Sequence, residues 1–248
     1  MTLLDKLFHP KKLKQPIDLS VLKTDMHSHY IPGIDDGAVT MDESVAMLKE
    51  MYNLGYRKII TTPHIQGEIF KNTPEIILSG LDDLRIALKD NNVDLQVEAA
   101  AEYLLDDYFE EKLKEKNLLT FGDNYILVEC SYFAPHPNLL TFIFNLQIEG
   151  YKVILAHPER YSYWFNNFKK YEDLKDRGVF FQLNTISLCG YYDNMVKKNA
   201  EKIIDAGMID FLGSDTHNFN YMAALKNTQH EKYLAKVLDT CKIMNNTL

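Results

Sequence analysis

His27 and His29 stand two residues apart at the end of a short apolar alternation, Asp25-Met26-His27-Ser28-His29. On a strand, residues i and i+2 point to the same side, so both imidazoles can serve one ion. Such pairs also occur on solvated strands, and the pair alone decides nothing. Further residues of the same chemical type recur along the chain, at Asp36, His64, Glu102, Glu129, His157, Asp215 and His217. Imidazole nitrogens and carboxylate oxygens are the donors that divalent transition-type cations take. Any one of these residues has an ordinary structural explanation; nine brought to one face form a polynuclear metal site.

Positioning nine such side chains demands a regular frame, and one is legible from Lys23 onward. The apolar pattern predicts strands at Thr24–His29, Lys58–His64, Leu95–Tyr103, Tyr125–Ser131, Lys152–His157, Val179–Asn184 and Ile209–Asp215. Helical patterns fall between them at Met41–Leu54, Thr73–Asp90, Asn138–Glu149, Tyr171–Arg177 and Asp193–Ala206, with a last one over Glu231–Met244. Thr40 followed by Glu43 signals a helix start, and Gly55 a stop. Strands alternating with helices predict parallel βαβ units. Right-handed crossovers then close a barrel or wind an open sheet. Six of the seven runs stop on a His, Asp or Glu. In parallel α/β folds the C-terminal strand ends share the face that carries the active site. The expectation is one α/β domain over residues 23–248, with the nine side chains converging on that face.

Composition sets the outer bounds. A chain of 248 residues with 46% hydrophobic and 25% charged residues is of ordinary globular type. A formal net charge of -8 argues against a protein that coats nucleic acid. Cys130, Cys189 and Cys241 form no CxxC pair, which suits a reducing compartment; the expected location is the cytoplasm. No apolar run is long enough for membrane insertion, and Asp5, Lys6 and His9 interrupt any secretory h-region. Residues 1–22 precede the first strand and read as an N-terminal arm packed on the outside of the fold. None of the cysteines is followed six residues later by an arginine, so there is no thiolate phosphate loop, and neither GxxxxGK[ST] nor GxGxxG occurs.

Taken in order, DMHSH, DDG, TTPH, the AAE before Tyr103, the VE before Cys130, AHPERY and GSDTHN resemble the polymerase and histidinol phosphatase (PHP) superfamily, from about Lys23 to Asn218. HSHYIPGIDDGA followed by a helix, together with AHPERY, resembles the bacterial PHP-type protein-tyrosine phosphatases of capsular and exopolysaccharide biosynthesis. The resemblance implies a distorted (β/α)7 barrel and three divalent metal ions, manganese first, with iron, zinc or magnesium as the other choices. It implies that His27, His29, Glu102 and Asp215 hold one ion. Glu102, Glu129 and His157 would hold a second, with Glu102 bridging, and Asp36, His64 and His217 the third. Clustered divalent ions suit hydrolysis of a phosphate ester, since they acidify a shared water to hydroxide and bind phosphoryl oxygens as Lewis acids.

Arg160, three residues past His157, is the expected catalytic and phosphate-binding cation, with Tyr161 beside it as a substrate-binding residue. The competing expectation pairs Arg160 with Glu159 or a helix carboxylate. Aromatic residues at Tyr163, Trp164, Phe165, Phe168, Tyr191 and Tyr192 either stack on a substrate ring or pack on the outside of the fold. One departure from the resemblance stands out: the second arginine common after the final Asp-x-His is missing. The only arginines are Arg57, Arg85, Arg160 and Arg177, which leaves Lys226 as a substitute. The expected function is a metal-dependent protein-tyrosine phosphatase acting on a bacterial tyrosine kinase. A small-molecule phosphomonoesterase such as a histidinol phosphatase is the alternative. A non-catalytic metal-binding module ranks last, because it predicts lost ligands and all nine are present.

Overall fold

The structure, a computed structural model, describes residues 12–248. Residues 1–11 of the expected arm lie outside the described residues. Its remainder runs against the far end of the chain: Leu13 N donates to His230 O at 2.8 Å and Ile17 N to Gln229 O at 2.8 Å. A 3-10 turn, Leu19–Leu22, then buries Leu19 and Leu22.

Nine short strands follow among the described residues: β1 (Thr24–Asp25), β2 (Lys58–Thr61), β3 (His64–Ile65), β4 (Gln96–Ala99), β5 (Glu102–Leu104), β6 (Tyr125–Glu129), β7 (Lys152–Ala156), β8 (Phe180–Asn184) and β9 (Phe211–Gly213). Interleaved are α1 (Met41–Asn53), α2 (Pro74–Asp90), α3 (Asp107–Glu115), α4 (Leu139–Ile148), α5 (Lys169–Asp176), α6 (Asn194–Asp205), α7 (Phe219–Thr228) and α8 (Lys232–Thr240). Local chemistry sets several boundaries. Thr40 caps α1 by accepting from Glu43 N, while Glu43 reaches back to Val39 N at 3.0 Å. Pro74 opens α2 at the position where its missing N–H costs nothing.

All the strands pair in parallel, but in two sheets: β1-β2-β4 and β3-β5-β6-β7-β8-β9. The seven runs expected from sequence are therefore subdivided. Pro63, which has no N–H to give a ladder, separates β2 from β3, and Ala100-Ala101 separates β4 from β5. Ala100 N still donates to Thr61 O and Glu102 N to Pro63 O, so backbone hydrogen bonds continue across the break. The first run keeps strand pairing only at Thr24–Asp25, after which Ser28 bridges Thr216 in parallel. Ser214 donates from both N and Oγ to the Asp25 carboxylate, so the earliest and latest strands meet along a polar seam.

Two apolar clusters result. The larger lies between strands and helices, with Ile59, Val97, Val128 and Leu155 among its members. The smaller joins Met26, Ile60, Ala100, Leu127, Ile154, Ala156 and Phe211 from successive strands. On β6 the two-residue period places Glu129 on the same side as Leu127, at the end of this smaller core. Two helices escaped the sequence reading. In α3 Phe109 is the buried residue of a charged segment, and α7 follows directly on Asn218, which caps it by accepting from Asn220 N.

Candidate metal centre

The nine ligand-type residues converge in one cluster: Glu129, His157 and Asp215 lie at or just past the C-terminal ends of β6, β7 and β9, while His64 and Glu102 open β3 and β5 where the first sheet gives way to the second. His27, His29, Glu102, Glu129, His157 and Asp215 are almost fully buried, whereas Asp36 is 60% exposed at its side chain and marks the mouth. His27 Nε2 lies 3.2 Å from Glu102 Oε2 and 3.4 Å from Asp215 Oδ1. His29 Nε2 lies 3.4 Å from the same Asp215 oxygen. His157 Nε2 is 3.0 Å from Glu102 Oε1 and 3.8 Å from Glu129 Oε2. Asp36 Oδ1 sits 3.5 Å from His64 Nε2 and 3.4 Å from His217 Nε2. The donors of His27, His29 and Asp215 lie within 4.8 Å of one another, as do those of His29, Asp36, His64 and His217. The same limit holds for His27, Glu102 and His157, and for His64, Glu102 and Glu129.

What these atoms lack is as informative as where they lie. His27 Nε2, His29 Nε2, His64 Nδ1 and Glu102 Oε2 are buried without a hydrogen-bond partner. Buried polar atoms are ordinarily satisfied, so four facing one another call for a cation. The hydrogen-bond network decides what His27 offers. The Asp215 carboxylate can only accept, so the Asn184 atom 2.6 Å from Oδ2 is the amide nitrogen. Asn184 Oδ1 then accepts from Gln182 Nε2 at 2.9 Å, which turns Gln182 Oε1 toward His27 Nδ1 at 2.8 Å and toward His157 N. His27 therefore carries its proton on Nδ1 and presents a lone pair at Nε2. The Asp35 carboxylate does the same for His29 at 2.8 Å, and the Asp215 backbone carbonyl for His217 at 2.8 Å. The donor set fits divalent cations.

Charge follows this geometry. Burial alone would raise the Glu102 carboxyl, but His27, His64 and His157 together hold it well below the usual carboxylate range. Asp215 is likewise held low against burial by His27 and His217, with His29 and Arg160 adding to the effect. For Asp35, the adjacent His29 outweighs burial in the same direction. His157 and Asp215 sit at φ +33° and +51°, in the left-handed region uncommon for side-chain-bearing residues. Because of that turn His157 joins the site although Ala156, one residue earlier, faces the smaller core. Such backbone persists where the surroundings over-determine it, as they do here.

A cleft of about 410 Å³ opens onto the centre, lined by Asp36, His64, Gln66, Ile69, Phe70, Glu129, Tyr132, His157, Arg160, Asp215, His217 and Tyr221. Arg160 pairs with Asp215 Oδ2 at 3.2 Å and not with Glu159, whose Oε1 accepts instead from Asn184 N and Ser187 Oγ. Tyr161, expected at the substrate, is instead fully buried. Its hydroxyl accepts from Cys130 N at 2.9 Å and donates to Ala156 O at 3.1 Å, because the segment after β7 folds back as two 3-10 turns. Trp164 packs edge-on against Tyr161 in the same aromatic cluster. The aromatic residues on the cleft are Phe70, Tyr132 and Tyr221, which the sequence reading did not single out. Lys226 pairs with Glu50 on α1 and does not line the cleft, so it is not the substitute for a second arginine. Asp35, Gln182 and Asn184 were also missed, being residues that orient ligands rather than offer themselves as donors to an ion.

Parallel strands converging on a buried cluster of His and carboxylate side chains make this an α/β protein of the metal-dependent hydrolase kind. A solved chain from the YwqE (Bacillus subtilis) and CpsB (Streptococcus pneumoniae) structures, described as unique metal-dependent tyrosine phosphatases, superimposes with a TM-score of 0.78 at 29% identity, over 87% of this chain and 86% of that one. Residues 23–243 match the family described as "Capsular polysaccharide synthesis, CpsB/CapC", and the chain belongs to that family. Among curated relatives, the tyrosine-protein phosphatase CpsB of Streptococcus pneumoniae is 31% identical, over 86% of this chain and 91% of its own. YwqE of Bacillus subtilis (strain 168) is 30% identical, over 78% and 77%. The histidinol phosphate phosphatase of Lactococcus lactis subsp. lactis Il1403 shares the fold, with a TM-score of 0.52 at 14% identity.

Proposed function

We propose that this chain is a metal-dependent protein-tyrosine phosphatase of capsule or exopolysaccharide synthesis. The observation that carries the reading is the set of buried, unpartnered His and carboxylate donors beneath an open cleft that also holds Arg160. His27, His29, Glu102 and Asp215 would hold one divalent ion. Glu102, Glu129 and His157 would hold a second, and Asp36, His64 and His217 a third, with manganese as the preferred ion. Bound divalent ions supply Lewis acidity toward phosphoryl oxygens and an acidified water. The chain's own residues do the rest. Glu102 faces two groups of donors at once through its two oxygens, and Asp36, half out in solvent, closes the mouth. Arg160 lines the cleft and spends one N–H group on Asp215; its others would meet the equatorial oxygens that gain charge as the phosphoryl group transfers.

The open cleft suits a phosphotyrosine presented on a protein better than a small ester that must be enclosed, and a bacterial tyrosine kinase with tyrosines in an extended segment is the proposed partner. Closure of the two sheets into a distorted seven-stranded barrel is supported by the bridge from Ser28 to Thr216. Three free cysteines accord with the cytoplasm, and no helix among the described residues is long and apolar enough to cross a membrane. The test is manganese-dependent hydrolysis of a phosphotyrosyl peptide beside histidinol phosphate, with wild type and His157→Ala. Peptide turnover lost in the variant is expected. Turnover of histidinol phosphate alone, or peptide turnover that survives the substitution, overturns the reading.

A further inference from the structure

Among the described residues, Arg160 is the only lysine or arginine lining the cleft. The chain's other arginines are engaged elsewhere or lie off the cleft: Arg57 donates to Tyr52 O and Tyr56 O, Arg85 to Val97 O, and Arg177 follows α5. One guanidinium on a mobile four-bond stem is a poor anion site, since each binding event must freeze its rotamers. Here the freezing is already done. The Arg160 guanidinium carbon lies 4.0 Å from the centroid of the Tyr192 ring and 4.6 Å from that of Tyr132. Nη1 donates to Asp215 Oδ2 at 3.2 Å, an oxygen that also accepts from Tyr192 OH at 3.1 Å and from Asn184 Nδ2 at 2.6 Å. Tyr132 OH in turn lies 3.4 Å from His157 Nε2. Both rings thus lie against the cation, and one donor is committed to a metal-site carboxylate. That is its one side-chain hydrogen bond among the described residues, and the side chain lines the cleft.

We propose that Tyr132 and Tyr192 are positioning residues that clamp Arg160 for phosphate, so that one preorganised guanidinium serves where two would otherwise be needed. The clamp rests on the reading of Arg160 as the phosphate-binding cation. Its source of energy is the ring face rather than the hydroxyl, because cation–π attraction and stacking need only the aromatic quadrupole. Tyr132→Phe should therefore be mild and tyrosine-to-leucine changes severe.

The experiment measures the inhibition constant of inorganic phosphate, and KM and kcat for a phosphotyrosyl peptide, on manganese-loaded protein with bound metal quantified. Tyr132→Leu and Tyr192→Leu should each raise the phosphate inhibition constant roughly tenfold, between the scales of an exposed and a desolvated cation–π contact. KM should rise in parallel, with metal content unchanged. Tyr132→Phe should stay within about twofold of wild type, since its ring still faces the cation. If Tyr192→Leu does not fold, Tyr132 decides alone, because it is 43% exposed and carries little of the core. A wild-type phosphate constant in Tyr132→Leu overturns the clamp, and so does a loss in Tyr132→Phe equal to that in Tyr132→Leu. Arg160→Ala separates the two levels. If it leaves phosphate inhibition unchanged, the role of Arg160 itself is wrong; if it abolishes inhibition while the leucine variants do not weaken it, only the clamp is wrong.

Discussion

Asp35 offers the sharpest test of how the centre is built. It holds no place in the proposed ligand sets, yet its carboxylate takes three hydrogen bonds: His29 Nδ1 at 2.8 Å, His64 N at 3.1 Å and Gly37 N at 2.9 Å. Asp35→Ala leaves nothing to fix which nitrogen of His29 carries the proton or where its ring points. Losing a group that orients a metal-bound histidine typically costs about 10–100-fold in metal affinity, which corresponds to about 1.4–2.7 kcal/mol. Two backbone N–H groups also lose their acceptor, at about 1–3 kcal/mol each if water cannot reach them. The Asp35 side chain is itself buried, but alanine vacates its volume beside the open mouth at Asp36, so water can enter and the low end applies, about 2 kcal/mol in all. A fall in Tm of about 4–8 °C follows for a chain of this size. Asp35→Asn keeps one oxygen and can still serve His29 and His64 N, so it should fall between the two. Calorimetric titration of metal-free protein with Mn2+, together with the metal dependence of kcat/KM, reads the order wild type, Asn, Ala. An Ala variant with wild-type metal affinity would refute the argument that the orientation of His29 depends on Asp35.

Other consequences follow from the same geometry. Chelation should abolish activity and lower Tm, and re-addition of Mn2+ at 100 times its Kd should return about 2.7 kcal/mol, or about 5–11 °C; a Tm indifferent to metal would contradict the unpartnered donors. Gly213→Ala places a Cβ 2.6 Å from Gln182 Nε2 and 2.7 Å from His27 Cβ. Such overpacking costs about 1–3 kcal/mol and should displace His27, read as substoichiometric metal in a protein that still folds. Iodoacetamide near neutral pH should spare activity, since burial pushes the Cys130 thiol up to about 12 and no cysteine lines the cleft; loss of activity tracking label on Cys130 would count against a metal-centred mechanism.

The nine donors were legible because His, Asp and Glu at the ends of apolar runs are chemically specific and rare in such places. Their orienting partners were not. Asp35 and Asp36 are adjacent and identical in type, and only the turn through Gly37 N decides that one faces His29 and the other the mouth. Gln182 and Asn184 lie on β8, whose run ends on no imidazole or carboxylate, so nothing in their composition pointed to the site. Tyr132, for which the sequence reading had no role, lies at the cleft where Tyr161 was expected, for a reason invisible in one dimension: the segment after β7 tucks Tyr161 under Cys130, and the one after β6 leaves Tyr132 against Arg160. Among the elements, α3 was missed because it is short and six of its nine residues are charged, which leaves no apolar run to mark it, and α7 because it begins immediately after the last candidate ligands.

The seam between the ends of the chain also has a temporal meaning. Ser214 and Asp25 are separated by 189 positions, and Asn245 adds a second stitch by donating to both Thr24 O and Leu212 O. Contacts of such long sequence separation close late in folding, after local helices and neighbouring strands have formed. A chain emerging during synthesis carries seven of the nine donors, from His27 to His157, well before Asp215 and His217 arrive. Until then the imidazole of His27 has no Asp215 across from it, and Arg160 has no carboxylate to lean on. On the proposed metal reading, ion capture by the complete centre is thereby tied to delivery of the last strand, and a prematurely ended product keeps most of the candidate ligands but not the Asp215 carboxylate, whose Oδ1 faces His27 and His29 and whose Oδ2 pairs with Arg160.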